Sequence, residues 1–312
     1  MSPAASPGPA ASPGPTASVS PAAPGPVVVA VLSHRDPPLL RRLVERVLEG
    51  ERSVVLVHHD PRGPAPDLPR DDRVLLVPDP QPCDWGRIDL ARAMLRCVEH
   101  AAQTVPDLSW FLLVSGQDYP CRAMTSIEAE LAASPYDAYL RWFRVDDDPR
   151  EDVHPWQART RDRYLHRLRV PFTRRHVPFP RRPPFGGATA LYVGDTWPNL
   201  GARAVEHLLA QGALRRRVEP YLRWCSSPDE ALLPTLLLNG AQGLRVADDR
   251  KRWIRWVEGE AHPRLLEPQD VPALVASGDF FARKVDSVRT PEVLDLLDAA
   301  ARAPQERDAP SG

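Results

Sequence analysis

The sequence predicts an α/β fold of the Rossmann type, with a mixed central sheet flanked by helices. The first observation is a β-branched run at residues 27–32, followed by a stripe of apolar residues at helical spacing from Leu39 to Leu48. The second is another β-branched run at 54–57, which completes a strand, helix, strand unit. In open α/β sheets, the loops that follow such parallel strands bind nucleotides.

The first helix of this unit has its own start signals. Asp36 is a candidate N-cap, and Pro37 suits the first helical turn. Strands are further predicted at 74–77, 110–114, 138–143, 188–193, 244–246 and 253–257, and helices at 87–103, at 202–213 and from Ser227 onward. No G-x-G-x-x-G follows the first strand and no P-loop motif occurs, so the dinucleotide and P-loop classes lack their main fingerprint.

Composition divides the chain into one domain and two tails. Residues 1–26 repeat Pro, Ala, Ser and Gly without an aliphatic cluster, and we predict a disordered tail there. Residues 27–302 form a single predicted domain, because no linker-like change of composition occurs before about residue 303. Residues 303–312 are predicted to be a second disordered tail.

The balance of charge argues against binding to nucleic acid. Lys and Arg number 40 and Asp and Glu 41, which gives a net charge of −1. A long segment at about 145–184 interleaves arginines with aromatic residues, a pattern that suits single-stranded nucleic acid and sugars equally well. Because the whole chain is near neutral, we favour the sugar-binding interpretation.

No membrane anchor is predicted from the sequence. Its apolar runs fall short of the roughly 20 residues that span a bilayer, and no signal peptide is visible. The cysteines lack a C-x-x-C spacing, so neither a zinc knuckle nor a disulfide scaffold is expected; they are Cys83, Cys97, Cys121 and Cys225. These features favour a cytoplasmic setting, with the protein free or peripheral to a membrane.

Polar residues follow the first two strands. Ser33 comes directly after the first strand, and His59 and Asp60 come after the second. Because the carboxyl ends of parallel strands meet at one edge of a sheet, these side chains are expected near each other. Consecutive residues point in opposite directions at a strand end, so we take only Asp60 of the pair to face a ligand. A zinc site at His58 to Asp60 is not favoured.

The segment from Ser227 to Glu230 has two interpretations. Ser-x-x-Glu with an intervening Pro is the pattern of a capping box, in which Glu230 would serve only to cap a helix. Alternatively, Glu230 projects into a cleft as a general base beside an acceptor hydroxyl. Pro234 conflicts with the carbonyl group of Glu230 one turn earlier and predicts a kink in this helix.

A set of seven short motifs runs through about residues 27–286 of the sequence. They are, in order, Ser33-His34, Asp60, Trp85-Gly86, the run from Ser115 to Pro120, Gly186-Gly187, the run from Ser227 to Glu230 with Thr235, and the run from Phe280 to Lys284. In order and rough spacing they resemble the core-2/I-branching β-1,6-N-acetylglucosaminyltransferase and peptide O-xylosyltransferase family, glycosyltransferase family 14. The resemblance implies a GT-A-like fold and transfer of xylose or GlcNAc from a UDP-sugar, with inversion and without a metal.

Matched position by position, the resemblance also implies roles for individual residues. Glu230 would be the catalytic base. The nucleotide and diphosphate would be bound by Ser33, Asp60, Arg283 and Lys284, and the sugar and acceptor by Trp85, Asp118, Gly187 and Asp229. The acceptor is expected to be a glycan, a lipid-linked intermediate or a small hydroxylated molecule. A catalytically silent carbohydrate- or nucleotide-binding protein with the same fold is the alternative.

No metal and no cofactor other than the UDP-sugar donor are expected. The run Asp146 to Asp148 contains a D-x-D, but it begins a loop among arginines and is interpreted as a solvated turn. A departing diphosphate needs positive charge, which Arg283 and Lys284 would supply in place of a cation.

Overall fold

A computed structural model describes residues 24–84, 86–147, 157–170, 173, 175–179, 186, 189–257 and 262–302, with only the backbone described at 157–159. The strands are β1 (Val27–Ser33), β2 (Ser53–His59), β3 (Val74–Leu76), β4 (Trp110–Ser115), β5 (Asp118–Pro120), β6 (Ala138–Tyr139), β7 (Trp142–Arg144), β8 (Arg167–Arg169), β9 (His176–Pro178), β10 (Tyr192–Gly194), β11 (Asn199–Gly201), β12 (Val246–Ala247), β13 (Arg252–Ile254) and β14 (Phe281–Arg283).

The helices alternate with these strands along most of the chain. They are α1 (Pro37–Val47), α2 (Ile88–Thr104), α3 (Met124–Ala132), α4 (Gln157–Leu165), α5 (Ala202–Ala210), α6 (Gly212–Leu222), α7 (Leu232–Leu238), α8 (Val271–Ala276) and α9 (Pro291–Arg302), with 3-10 turns at Pro228–Glu230 and Pro268–Asp270. Within the described ranges, no helix combines the length and apolar character needed to cross a bilayer.

A seven-stranded sheet forms the centre of the fold, in the order β12-β6-β11-β4-β1-β2-β3. Its neighbours pair in parallel except at β11, which runs antiparallel to both β4 and β6. The predicted fold class, α/β with a mixed central sheet flanked by helices, is therefore confirmed. A smaller sheet, β13-β14-β5, lies beside it and carries two of the predicted site residues, Asp118 and Arg283.

Every residue of β1 is buried, as expected for a strand covered on both faces. Val28 and Ala30 pack on one face with α2, α5, α6 and α7. Val29 and Val31 pack on the other with α1, α3, α8 and α9. The alternation follows from the two-residue period of a strand, and it produces three layers with the sheet in the middle.

The first unit of the fold matches its prediction. Helix α1 begins at Pro37, and the carboxylate of Asp36 accepts a hydrogen bond of 3.1 Å from the backbone N–H of Leu39. The residue before β1 also contacts the rest of the domain, since the backbone N–H of Ser109 donates to the carbonyl oxygen of Pro26 at 2.8 Å. Predicted tail residues 1–23 and 303–312 lie outside the described part of the chain.

Several later elements are shorter than predicted. The strand predicted at 138–143 is divided into β6 and β7, and the one predicted at 188–193 is reduced to β10. The helix predicted at 202–213 becomes α5 and α6, which meet near Gln211. Strand β6 pairs with the reversed strand β11, whereas β7 and β10 pair with each other in a separate two-stranded sheet, so tertiary pairing overrides the local pattern.

The prediction of one kinked helix from Ser227 onward is wrong. A 3-10 turn over Pro228–Glu230 is followed by α7, which begins at Leu232. Pro234 therefore stands in the first turn of α7, where a backbone N–H has no partner within the helix. Its ring needs no kink in that position, so it does not disturb the backbone of Glu230.

Helix α7 supplies side chains that replace a strand partner for the chain around β10. The hydroxyl of Thr235 accepts from the N–H of Tyr192 at 3.1 Å and donates to its carbonyl oxygen at 3.0 Å. One turn later, the amide of Asn239 accepts from the N–H of Ala190 at 2.9 Å and donates to its carbonyl oxygen at 2.8 Å. Two buried backbone groups of Ala190 thus depend on one side chain.

We predict that Asn239→Ala lowers the free energy of unfolding by about 2–4 kcal/mol, because it leaves both Ala190 groups buried without their partners. Urea unfolding followed by circular dichroism measures the change. Thr104→Ala, which removes an exposed hydroxyl bonded to the His100 carbonyl oxygen, is the control and should stay within about 0.5 kcal/mol. A loss no larger than that of the control would contradict the role assigned to Asn239.

Candidate functional site

The site residues gather at the edge of the sheet where β1, β2 and β4 end. The three strands are parallel and in register, so the residues after Ser33, His59 and Ser115 leave the sheet on the same side. Strand β11 runs the opposite way, with Asn199 beside Leu112. The residues that precede β11 therefore also lie at this edge.

Ser33 and Asp60 are brought together, as predicted from the strand ends. The backbone N–H of Asp60 donates to the carbonyl oxygen of Ser33 at 2.8 Å. The Ser33 hydroxyl lies 2.8 Å from Nδ1 of His59, and Nε2 of the same ring lies 2.8 Å from the carbonyl oxygen of Pro64. Because a carbonyl only accepts, a neutral His59 carries its proton on Nε2 and the Ser33 hydroxyl donates to Nδ1.

The carboxylate of Asp60 is held by two protein partners. Arg62 donates to both of its oxygens, at 3.0 and 2.7 Å, and the backbone N–H of Cys83 donates at 2.8 Å. These hydrogen bonds, those from Arg62 above all, hold the pKa of Asp60 well below its usual range although burial opposes them. Asp60 is therefore a fixed anion that ties the loop after β2 to the segment before α2.

Asp118 is fully buried and contacts two arginines, so protein groups rather than solvent surround its side chain. Its Oδ2 accepts from the backbone N–H and the hydroxyl of Ser115. Its Oδ1 lies 3.6 Å from Nε of Arg252 and 3.7 Å from Nε of Arg283. Asp118, predicted to bind the sugar or the acceptor, and Arg283, predicted to bind the diphosphate, thus belong to one cluster built on β5, β13 and β14.

Arg252 was missed by the sequence analysis. It is the first residue of β13, it is almost wholly buried, and Nη2 donates to the carbonyl oxygen of Leu113 at 2.9 Å. The ring of Trp197 lies against both arginines, with its centroid 4.9 Å from the Arg283 guanidinium carbon and 5.7 Å from that of Arg252. No local pattern marks Arg252, because its partner Asp118 lies far away in the sequence.

Lys284 adds a third positive charge and Arg35 a fourth. Burial lowers the pKa of Lys284, and the charges of Arg283 and Arg35 lower it further, while Asp118 opposes them. Arg35 follows Ser33 and His34 in the loop after β1. Positive charge therefore lies both in the Ser33 loop and beside Arg283. Mutual repulsion of this kind is relieved when an anion binds.

Glu230 is not a capping residue, and the capping-box interpretation is wrong. Ser227 adopts a left-handed conformation with φ of 52°, and its side chain makes no capping hydrogen bond. The backbone N–H of Glu230 instead donates to the carbonyl oxygen of Ser227 at 3.1 Å. The carboxylate is thereby free to turn outward, and Oε2 lies 2.9 Å from Nη1 of Arg163 on α4. About a third of the Glu230 side chain, 32%, is exposed.

Asp229 is buried beside Glu230. Its Oδ2 accepts a long hydrogen bond of 3.4 Å from the hydroxyl of Thr196, whereas its Oδ1 has no hydrogen-bond partner among the described residues. Burial raises the pKa of Asp229 above its usual range. Burial and the Asp229 charge raise the pKa of Glu230 above its usual range, against the lowering effect of Arg163. A raised pKa makes a carboxylate a stronger proton acceptor, as a general base must be.

Asp195, which was not predicted, lies within electrostatic reach of both Glu230 and Arg252. Its negative charge raises the pKa of Glu230 and that of Arg252. Its Oδ2 lies 3.5 Å from Nη1 of Arg250. Because Asp195 precedes β11, it reaches the same edge as the loops that follow the parallel strands.

Two predicted residues, Trp85 and Gly187, lie outside the described part of the chain, as does Asp148 of the D-x-D. Asp146 is described and is paired with Arg144, with Oδ2 2.6 Å from Nη2. This exposed pair agrees with the interpretation of the run as a solvated turn.

Comparison with known protein families shows which family the chain belongs to. The model of the family described as Core-2/I-Branching enzyme matches residues 30–275, which is well over half of the chain. The chain belongs to the core-2/I-branching enzyme family. This finding confirms the resemblance drawn from the seven motifs, and it makes the protein a member of a glycosyltransferase family. A search of curated proteins gives no match for this family member.

Two solved structures are similar to this core-2/I-branching family member. One is 2-C-methyl-D-erythritol 4-phosphate cytidylyltransferase from Thermus thermophilus, with 19% identity, a TM-score of 0.32, and coverage of 81% of this chain and 98% of that one. The other is a glycosyltransferase involved in the glycosylation of the major capsid of PBCV-1, with 11% identity, a TM-score of 0.38, and coverage of 88% and 100%.

We predict that Arg163→Gln raises the pKa of Glu230 further, because the neighbouring cation that favours its carboxylate is removed. A ¹³C NMR titration of glutamate carboxyl groups measures this pKa, with Glu230→Gln used to assign the resonance. Arg161→Gln is the matched control, because Arg161 lies exposed on the same helix. Equal titration midpoints in the two arginine variants would show that the ion pair has no influence on Glu230.

Proposed function

We propose that the protein transfers a sugar from a UDP-sugar to an acceptor hydroxyl, with inversion and without a metal, and that Glu230 is the general base. The observation that carries this proposal is the Glu230 carboxylate itself. It is partly exposed at the sheet edge, its pKa is raised above the usual range by burial and by Asp229, and its backbone is fixed by the 3-10 turn. A helix cap would require none of these three properties.

The proposed reaction is a single displacement at the anomeric carbon. Glu230 takes the proton of the acceptor hydroxyl as its oxygen forms a bond to that carbon. The bond from the anomeric carbon to the β-phosphate oxygen breaks at the same time, and its electron pair leaves with UDP. Attack opposite to the leaving group inverts the centre, so an α-linked donor gives a β-linkage.

Positive charge must meet the departing diphosphate in this reaction. Arg283 and Lys284 are the proposed partners, because they lie with Arg35 beside the ends of β1 and β14 and repel one another in the absence of an anion. Arg283 offers a planar fork to phosphate oxygens and Lys284 a point charge. Ser33 and Asp60 organise the adjoining loops, where the nucleotide is proposed to bind.

The proposed donor sugar is xylose or GlcNAc, as in the family. Asp229 is proposed to contact the sugar or the acceptor, since its Oδ1 has no hydrogen-bond partner among the described residues. The acceptor is proposed to be a glycan, a lipid-linked intermediate or a small hydroxylated molecule. Glu230 and the cations lie at one edge of the sheet, an arrangement that suits a donor and an acceptor that meet there.

Glu230→Gln is expected to lower turnover by about 10²–10⁴ while UDP-sugar affinity stays within a few-fold of wild type. The amide keeps the shape of the side chain but cannot accept the proton. Turnover is measured by UDP release with a panel of donors and acceptors, and affinity by calorimetry. Glu99→Gln is a matched control, because Glu99 is also a partly exposed glutamate paired with an arginine, with Oε1 2.6 Å from Nη1 of Arg215.

The alternative function, a silent carbohydrate- or nucleotide-binding protein, predicts a different result. Binding of UDP-sugars without UDP release from any donor and acceptor pair would favour that alternative. In the transferase, the rate should rise with pH as Glu230 loses its proton, since only the carboxylate acts as a base.

Activity should survive EDTA and fall by at least about tenfold in Lys284→Ala, because one of the charges that balances the leaving group is lost. UDP release in the presence and absence of EDTA and of added Mn²⁺ provides the measurement. Lys251→Ala is the control, since that lysine is paired with Glu130 at 3.2 Å. Loss of activity in EDTA that Mn²⁺ restores, with little effect of Lys284→Ala, would overturn the metal-free reaction.

A further inference from the structure

The strands β8 and β9 form a two-stranded ribbon beside the candidate site. In its antiparallel register Leu168 stands opposite Val177, and the pairing continues to Phe179, whose N–H donates to the carbonyl oxygen of His166 at 2.9 Å. Opposed residues share a face of a ribbon, and residues two apart along a strand do so as well. Arg175, Val177 and Phe179 therefore share one face with Leu168.

This face of the ribbon points outward. Val177 is 41% exposed and Phe179 is 53% exposed, and Arg175 is also exposed. On the opposite face, Arg169 is fastened to the body of the protein, because its Nη1 donates to the carbonyl oxygen of Gly86 at 2.8 Å. We call this set, the half-buried Leu168 with the exposed Arg175, Val177 and Phe179, the ribbon surface.

The ribbon surface lies in the most basic part of the chain. Residues 157–182 contain nine arginines and one acidic residue, Asp162, in a protein whose net charge is −1. Asp162 is paired with Arg167, so it does not offset the charge of Arg175. Apolar side chains next to arginines are the combination that binds at the interface of an anionic bilayer, where the former enter the headgroup region and the latter meet phosphate groups.

We infer that the ribbon surface docks the protein on a membrane that contains anionic lipid. Two exposed apolar side chains favour a lipid surface over a soluble polyanion, which would leave Val177 without an apolar environment. The ribbon is also linked to the catalytic segment. Tyr164 precedes β8, and its hydroxyl donates to the carbonyl oxygen of Ser227 at 2.5 Å. Docking thus holds the Glu230 edge of the sheet close to the bilayer.

Sedimentation with vesicles tests this inference without any assay of activity. Wild-type protein is expected to bind phosphatidylcholine vesicles that contain about one third phosphatidylglycerol, and to bind pure phosphatidylcholine at least about tenfold more weakly. Val177→Ser with Phe179→Ser should weaken binding to the anionic vesicles by at least about tenfold. Arg175→Gln should weaken it several-fold, with a smaller dependence on salt.

Matched controls separate docking from folding and from catalysis. Leu209→Ser with Leu296→Ser removes two side chains of similar exposure, 37% and 39%, on α5 and α9, and should bind like wild type. Arg70→Gln serves the same purpose for Arg175, and Glu230→Gln should bind vesicles normally even if it is inactive. Circular dichroism and UDP-sugar binding verify that each variant is folded.

Three results would overturn the inference. The first is equal binding to neutral and anionic vesicles, and the second is equal loss in the ribbon and control variants. The third is binding to a soluble polyanion such as heparin without binding to vesicles, which would assign the ribbon surface to an anionic glycan.

Discussion

Two buried guanidinium groups share one carboxylate at the edge of the sheet, and the candidate donor site depends on this arrangement. The Oδ1 atom of Asp118 faces both Arg252 and Arg283, while its Oδ2 is occupied by Ser115. Burial of an uneven set of charges is costly. The register of the small sheet imposes it nonetheless, because Arg283 pairs with Asp118 across β14 and β5. Lys284 adds to the excess of positive charge, and a bound diphosphate would balance it.

The antiparallel strand β11 brings a further segment to the sheet edge, on the side where Glu230 lies. In a wholly parallel sheet only the segments that follow strands reach this edge. Because β11 runs antiparallel to β4, the segment before it arrives there too, with Thr196 beside Asp229 and Trp197 beside Arg283. The charged donor cluster and the carboxylates of the 3-10 turn are therefore neighbours, although they are distant in sequence.

The sequence was most informative where one strong periodic pattern governs both local structure and burial. The unit β1-α1-β2, its cap at Asp36 and the meeting of Ser33 with Asp60 could be predicted for that reason. The segment at Glu230 could not be, because its pattern also describes a helix cap and the left-handed conformation of Ser227 decides against one. Arg163 and Arg252 could not be found either, since each acquires its importance from a partner far along the chain.

The ion pair between Arg163 and Glu230 has a consequence for water. In a transferase that uses Glu230 as its base, the carboxylate is occupied before an acceptor arrives, and an occupied carboxylate activates a passing water molecule poorly. An acceptor that replaced the Arg163 contact would need to offer hydrogen bonds of its own, and a molecule with several hydroxyls offers more of them than a single water molecule does. In such a transferase the pair would therefore limit hydrolysis of the donor sugar while no acceptor is bound.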